Sequence, residues 1–307
     1  MTAALRRRQA QRNQCVGRTM DLYVNQSRSS ASLKEAIYNG AIFLETGLQA
    51  AQRMREFAVH SISHVFEGVV DHRSIHRLMP VEEFVSNVTR LKGYFTNSGE
   101  VKEIIRGFVV ELGEDPADYL FDVPRLRVVP HYEYLHAGIS YAYKPHRDTW
   151  YGAVQCQLNT WMPVYGITPD QTMMINPSYF TVPVKNSSAD WQLTDWIGNE
   201  RWRASSNVKE ETRPHPVPLE EVSTSAELRV APNAGEMLIF SGVHLHGTVP
   251  NLTDCTRFSV DFRLMHIGDM KAGRGAINVD NGCADAEAGF KDYFHADSFK
   301  PFEGLTV

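Results

Sequence analysis

The run from Val154 to Val164 alternates residue by residue, and both of its faces are informative. Gln155, Gln157, Asn159 and Trp161 share one face, and Val154, Cys156, Leu158 and Met162 share the other. The apolar face is suited to packing on helices or a second sheet. Two glutamines, an asparagine and a tryptophan cannot enter a dry core without partners, so that face predicts a polar interior, as in a barrel that holds a ligand. Short β-branched and aromatic runs of the same kind recur at Arg127–Pro130, Ile139–Tyr143, Met173–Pro177, Met237–Phe240 and Thr256–Leu264, separated by Pro, Gly and Asn. This strand grammar begins near Asp122-Val123-Pro124.

Upstream of that point, residues 30–121 read as helical. Ser32-Leu33-Lys34-Glu35 has the form of a capping box, and Ala36, Ile37, Ala41, Ile42, Phe43, Leu44, Leu48 and Met54 follow at roughly helical spacing. A second helix is expected from Val81 to about Tyr94, with Phe84, Val85, Val88 and Leu91 on one face. A third runs from about Val101 to Leu112, where Gly113 suits the stop. Residues 185–227 are polar, punctuated by Pro and too long for a simple connection; they read as an insertion over the barrel mouth, a lid carrying Trp191, Trp196 and Trp202. The expected architecture is mainly β with a helical N-terminal part: a double-stranded β-helix (jelly-roll, cupin-like) core supported by helices. Its divisions are a basic segment 1–29, helical support 30–124, a core 125–268 containing the lid, and an irregularly docked tail 269–307.

Within the strand half lies His146-Arg147-Asp148, with His246 far downstream. Two imidazoles and one carboxylate can hold a face of an Fe(II) ion and leave the opposite face open. His and Asp two apart share a strand face, here at the expected end of the Ile139–Tyr143 strand. His244 competes for the third position. His246 is preferred because Gly247 permits close backbone approach and Pro250-Asn251 closes the turn before the next strand. His131, His136 and His266 read as ordinary core or surface histidines. Arg257 opens the final strand with Ser259 on the same face, a guanidinium and a hydroxyl suited to one carboxylate. Asp261 and Arg263 continue that face, either as a pair of their own or as groups that reach a substrate.

Composition narrows the class. A net charge of −5 supplies no field for nucleic acid. The start is basic, Arg6-Arg7-Arg8, but no apolar segment follows it, and no apolar run reaches membrane-spanning length. Neither a secretory signal nor a membrane partner is expected. Cys15, Cys156, Cys255 and Cys283 are scattered without a CxxC pair, which favours a reducing cytoplasm.

Taken together, these motifs resemble the Fe(II)/2-oxoglutarate-dependent dioxygenases, and within them the phytanoyl-CoA dioxygenase-like branch. The resemblance covers about residues 125–265. It rests on His146-Arg147-Asp148, on Pro177-Ser178-Tyr179, and on the block from Gly235 through His246-Gly247-Thr248-Val249-Pro250-Asn251 to Arg257-Phe258-Ser259. The first 120 residues match no family. The resemblance implies Fe(II) on His146, Asp148 and His246, and 2-oxoglutarate with its distal carboxylate on Arg257 and Ser259. Asn159 and Trp161 would lie near the co-substrate, with O₂ as oxidant. It implies hydroxylation, desaturation or cyclisation at an unactivated C–H, with release of succinate and CO₂. Related halogenases lack the carboxylate that Asp148 supplies here. Gln155, Gln157, Lys144, Arg147 and the three lid tryptophans suggest a small polar substrate, such as an amino-acid derivative. Two alternatives remain open: a cupin-like metal dioxygenase or isomerase without 2-oxoglutarate, which needs no Arg257-x-Ser259, and a non-catalytic metabolite-binding jelly roll.

Overall fold

The computed structural model describes residues 21–25, 30–206, 208, 210–284, 290 and 292–304. Most of the expected basic segment 1–29 therefore lies outside the described residues. A large mixed sheet runs in the order β1-β2-β7-β5-β9-β3-β10, with β4 also paired to β9. Its strands are β1 (Leu22–Val24), β2 (Ile42–Glu45), β3 (Tyr119–Asp122), β4 (Arg125–Val129), β5 (Leu158–Pro163), β7 (Met237–Ser241), β9 (Arg257–His266) and β10 (Tyr293–His295). A second, two-stranded sheet pairs β6 (Met173–Asn176) with β8 (Leu245–Thr248).

The longest strand, β9, shows how the layers are built. Phe258, Val260, Phe262 and Leu264 enter the main apolar core, where they meet helices α2 (Gln49–Val65), α3 (Val81–Thr96) and α4 (Gly99–Glu111). Phe108 of α4 sets its ring edge-on to Phe262, centroids 5.4 Å apart. The alternate residues Arg257, Asp261 and Arg263 line a cavity on the other side of the sheet. On β5, Leu158 and Met162 join the apolar core while Asn159 and Trp161 line the cavity. The polar face read from the sequence is thus an interior face. It starts at Gln157; Gln155 sits in the turn before β5, where its carbonyl accepts from the Ala276 N–H.

Helices α3 and α4 fall where the periodicity placed them, and Gly113 ends α4 with φ +79°. The first helical stretch differs. It divides into α1 (Ser30–Tyr38), strand β2 and helix α2. Ser32 lies inside α1, so the capping box is not a cap. The break is a Schellman stop: Gly40 N–H donates to Ile37 O and Ala41 N–H to Ala36 O, with Gly40 at φ +99°. A Cβ at Gly40 would also meet the Phe180 ring at 2.9 Å. Ile42 and Phe43 had matched a helical stripe only because both periods bury them. The Ile139–Tyr143 stretch is not a strand; Gly138–Ser140 is a 3-10 turn and extended chain follows. The tail is not irregular throughout, since β10 pairs with β3. Among the described residues no helix is long and apolar enough to cross a membrane.

Candidate metal and anion site

His146 and His246 face each other across a single antiparallel bridge between the segment before a 3-10 turn (Asp148–Tyr151) and β8. The two residues exchange both backbone hydrogen bonds, His146 N–H to His246 O at 2.8 Å and the reverse at 2.9 Å. Asp148 is held alongside by its N–H to Gly242 O, 2.9 Å. Gly242 makes that approach possible, because a Cβ there would lie 3.0 Å from Gln157 Nε2 and 3.3 Å from Asp148 Cβ. Gly247 serves the other side, where a Cβ would lie 2.8 Å from Met174 Cε and 3.1 Å from Tyr143 O.

The ring orientations are set by backbone carbonyls. His146 Nδ1–H donates to Lys144 O (2.7 Å) and His246 Nδ1–H to His244 O (2.8 Å), which leaves each Nε2 directed at Asp148. Both Nε2 atoms lie 3.6 Å from Asp148 Oδ1. The three ligand atoms fall within 4.8 Å of one another, and all three residues are buried. Burial, and then His146, push the His246 pKa down to about 3, so its imidazole is neutral.

Asp148 Oδ2 is treated differently from Oδ1. It accepts from Gln157 Nε2 (2.7 Å), Asn159 Nδ2 (2.8 Å) and Arg263 Nε (3.1 Å). Burial alone would raise this carboxyl's pKa; Arg263 and the two histidines outweigh it and hold the group well below the usual carboxylate range. Tyr293 of β10 donates to Gln157 Oε1 at 2.8 Å, tying the C-terminal strand to the same oxygen. Arg263 also binds Asp122, and Asp261 takes both oxygens to Arg127 (2.7 and 3.0 Å). The two residues are therefore not a pair of their own.

His244 stands apart from the cluster. Its Nε2 meets Gly40 O at 3.1 Å and its Nδ1 meets Ser241 O at 3.1 Å. Burial lowers its pKa to about 4. Arg147 points away from its neighbours and serves as a buried anchor, neither a surface charge nor a substrate group. It ion-pairs with Asp280 and donates to the carbonyls of Val243, Tyr179 and Val182. Asp280 also accepts from Trp150 Nε1 and Val184 N–H. Lys144 is exposed. His266 caps the short helix α5 (Ile267–Lys271) by accepting from Asp269 N–H.

The second polar centre is at Arg257. Its guanidinium donates to Gln171 O (3.1 Å) and Thr172 O (3.3 Å) and lies 5.8 Å over the Trp161 ring. Among the described residues no carboxylate meets it; Nε has no partner, and neither has the hydroxyl of the fully buried Ser259 two residues on. Burial, with Arg127 adding to it, lowers the Arg257 pKa to about 10. Trp161 thus lies at the anion end of the cavity and Asn159 at the carboxylate end.

Both centres open on one cavity of about 400 Å³. Leu193, Trp196, Ile197, Arg201, Ala204 and Arg213 of the 185–227 segment line it, together with Tyr141, Tyr143 and Tyr151. Trp191 is buried behind Tyr151, while Trp202 is 68% exposed and faces solvent. Among the lining cations, Arg125 pairs with Asp122, Arg127 with Asp261, Arg201 with Asp292, and Arg213 with Glu211. Sequence reasoning missed the roles of Gln157, Arg263, Tyr293 and Asp280. The shared parity of Gln157 with Asn159 was a usable signal for the first; nothing local marks the other three.

No family model matches the chain, and no curated protein matches it. Among solved structures it is similar to EvdO2 from Micromonospora carbonacea var. aurantiaca in complex with 2-oxoglutarate, at 15% identity and a TM-score of 0.37. That match covers 60% of this chain and 64% of EvdO2, so the chain spans just under two thirds of that protein. It is similar to the non-haem alpha-ketoglutarate-dependent epimerase SnoN from nogalamycin biosynthesis, at 12% identity over 77% of this chain and 83% of SnoN, TM-score 0.39. It is also similar to EctD from S. alaskensis in its apo form, at 13% identity over 82% and 83% of the two chains, TM-score 0.41.

Proposed function

We propose that this chain is a non-haem Fe(II)- and 2-oxoglutarate-dependent oxygenase acting on a small molecule. In this reading the two sheets form a double-stranded β-helix within the core 125–268, with the metal held between them. The carrying observation is that one cavity joins His146, Asp148 and His246 to a buried guanidinium that has no carboxylate.

The donor set fits the metal. Ligands about 2.1 Å from an ion and at right angles to one another lie roughly 3 Å apart, close to the 3.6 Å separations here. Two imidazoles and one carboxylate suit Fe(II). When bound, the iron would couple O₂ reduction to decarboxylation of 2-oxoglutarate, giving succinate and CO₂ and delivering the second oxidising equivalent to an unactivated C–H.

The protein's own groups do the rest. Gln157, Asn159 and Arg263 occupy Asp148 Oδ2, so the carboxylate offers Oδ1 alone and takes a single coordination position. Arg257 and Ser259 bring three kinds of donor to the distal carboxylate: the unpartnered Nε–H, the remaining guanidinium N–H groups and the hydroxyl. Trp161 supports the guanidinium from below. Segment 185–227 acts as a lid whose inner surface, Leu193 and Trp196, excludes water during turnover. With Asp148 present, hydroxylation, desaturation or ring closure is the outcome, and not halogenation.

Anaerobic addition of Fe(II) and 2-oxoglutarate should give a visible metal-to-ligand charge-transfer band. Arg257→Ala should weaken 2-oxoglutarate binding by about 2–5 kcal/mol, the usual cost of truncating one partner of a buried charge pair. Iron binding with no band would instead favour a cupin-like enzyme that does not use 2-oxoglutarate.

A further inference from the structure

One more cation, Lys92, lines the cavity with no carboxylate partner among the described residues. Lys92 projects from α3 and donates its single hydrogen bond to the Ile139 carbonyl. Arg127 and Arg213, the cations nearest to it in charge, are neutralised by Asp261 and Glu211.

We infer that the primary substrate is a monoanion whose carboxylate docks on Lys92. The inference rests on the 2-oxoglutarate reading, which assigns the other unpaired cation, Arg257, to the co-substrate. Three features define the substrate class. The charge to be matched is a single ammonium, which suits a carboxylate better than a phosphate dianion. Every carboxylate lining the cavity, Asp122, Asp148, Asp261 and Asp292, is already engaged by a guanidinium, so a substrate ammonium would find no free anion. Tyr141, Tyr143 and Trp196 offer aromatic surface in the same cavity for an apolar body attached to that carboxylate. This narrows the small polar substrate expected from the sequence to an acid without a recognised amino group.

Burial, reinforced by Arg127, brings the Lys92 pKa down to about 7, and a carboxylate docked beside it would favour the protonated form.

The test uses the Zn(II)–2-oxoglutarate form, which does not turn over, and calorimetric titration with 3-phenylpropionate and its uncharged amide. The acid should bind at least tenfold more tightly than the amide. Lys92→Met should abolish that preference, Lys92→Arg should keep it, and neither should alter 2-oxoglutarate affinity. Lys92→Gln makes the same comparison if the Met variant does not fold. Equal binding of acid and amide, including no binding of either at about 10 mM, overturns the inference. So does a tenfold loss of 2-oxoglutarate affinity in Lys92→Met, which would assign Lys92 to the co-substrate. If the wild-type protein binds no 2-oxoglutarate, the functional reading fails first, and that failure is recorded before any acid is added.

Discussion

The two ends of the cavity are built on opposite principles. At the metal end the remaining polar side-chain atoms of the three ligand residues have partners: Asp148 Oδ2 accepts three donors, and each histidine Nδ1 is held by a carbonyl. At the anion end, Arg257 Nε and Ser259 Oγ are buried with none. Unsatisfied buried donors cost stability, and two of them two residues apart on one face of β9 mark a place where a ligand can complete the structure. The metal end is held by its own hydrogen bonds, and the anion end keeps two donors, Arg257 Nε and Ser259 Oγ, for a ligand.

This contrast can be broken by substitution. The largest effect should come from Asp148→Ala or His246→Ala, which should lower Fe(II) affinity by more than about 10⁴-fold in a metal titration. His244→Ala should leave that affinity nearly unchanged, because His244 binds backbone carbonyls and lies outside the cluster. Next is Arg147→Met, which leaves Asp280 buried without its cation. It should cost about 3–5 kcal/mol of stability in urea denaturation, although Arg147 sits between two proposed ligands and contacts neither a metal nor a substrate.

The opposite end should respond in the opposite sense. Arg257→Met should leave the ligand-free protein equally stable, or more stable by about 1 kcal/mol, since it removes an under-satisfied buried charge. A loss of several kcal/mol would show that the two ends are built alike. The smallest effect concerns pH. The Lys92 pKa falls from its ordinary value to about 7 on folding, so between those values the unfolded chain binds more protons and stability rises with pH. The destabilisation due to Lys92 is complete below about pH 7 and is relieved above it. The stability gained in Lys92→Met should therefore be larger at pH 6 than at pH 9, by about 1 kcal/mol, a figure discounted for the ammonium's access to cavity water.

Legibility from sequence followed the range of the interactions. The alternation from Gln157 to Met162 and the helical stripes at Phe84–Leu91 are short-range signals, and the structure repeats them. The convergence of His146, Asp148 and His246 was readable because each is marked by its own neighbours, Gly247 above all. The split of the first helix was also readable, since Asn39-Gly40 is a stop signal, but the apolar residues on either side fit helix and strand equally well. What could not be read was pairing at long range. Nothing near Arg263 indicates that it reaches Asp148 rather than Asp261. Nothing near Asp280 indicates that Arg147 is its partner. Lys92 looks like any solvated lysine on a helix until the cavity beneath α3 is known.

Strand β9 carries a consequence for how this chain tolerates change. From Arg257 to Leu264 its even residues are Phe258, Val260, Phe262 and Leu264, and its odd residues are Arg257, Ser259, Asp261 and Arg263. Sliding the strand by one position would push three charges into oil and turn four apolar side chains toward water. Many substitutions along β9 can be absorbed singly, but inserting or deleting one residue cannot. Lineages of this protein should therefore vary β9 in spelling and never in length, and chains that mispair it during folding should be released, because no misaligned state is stable enough to trap them.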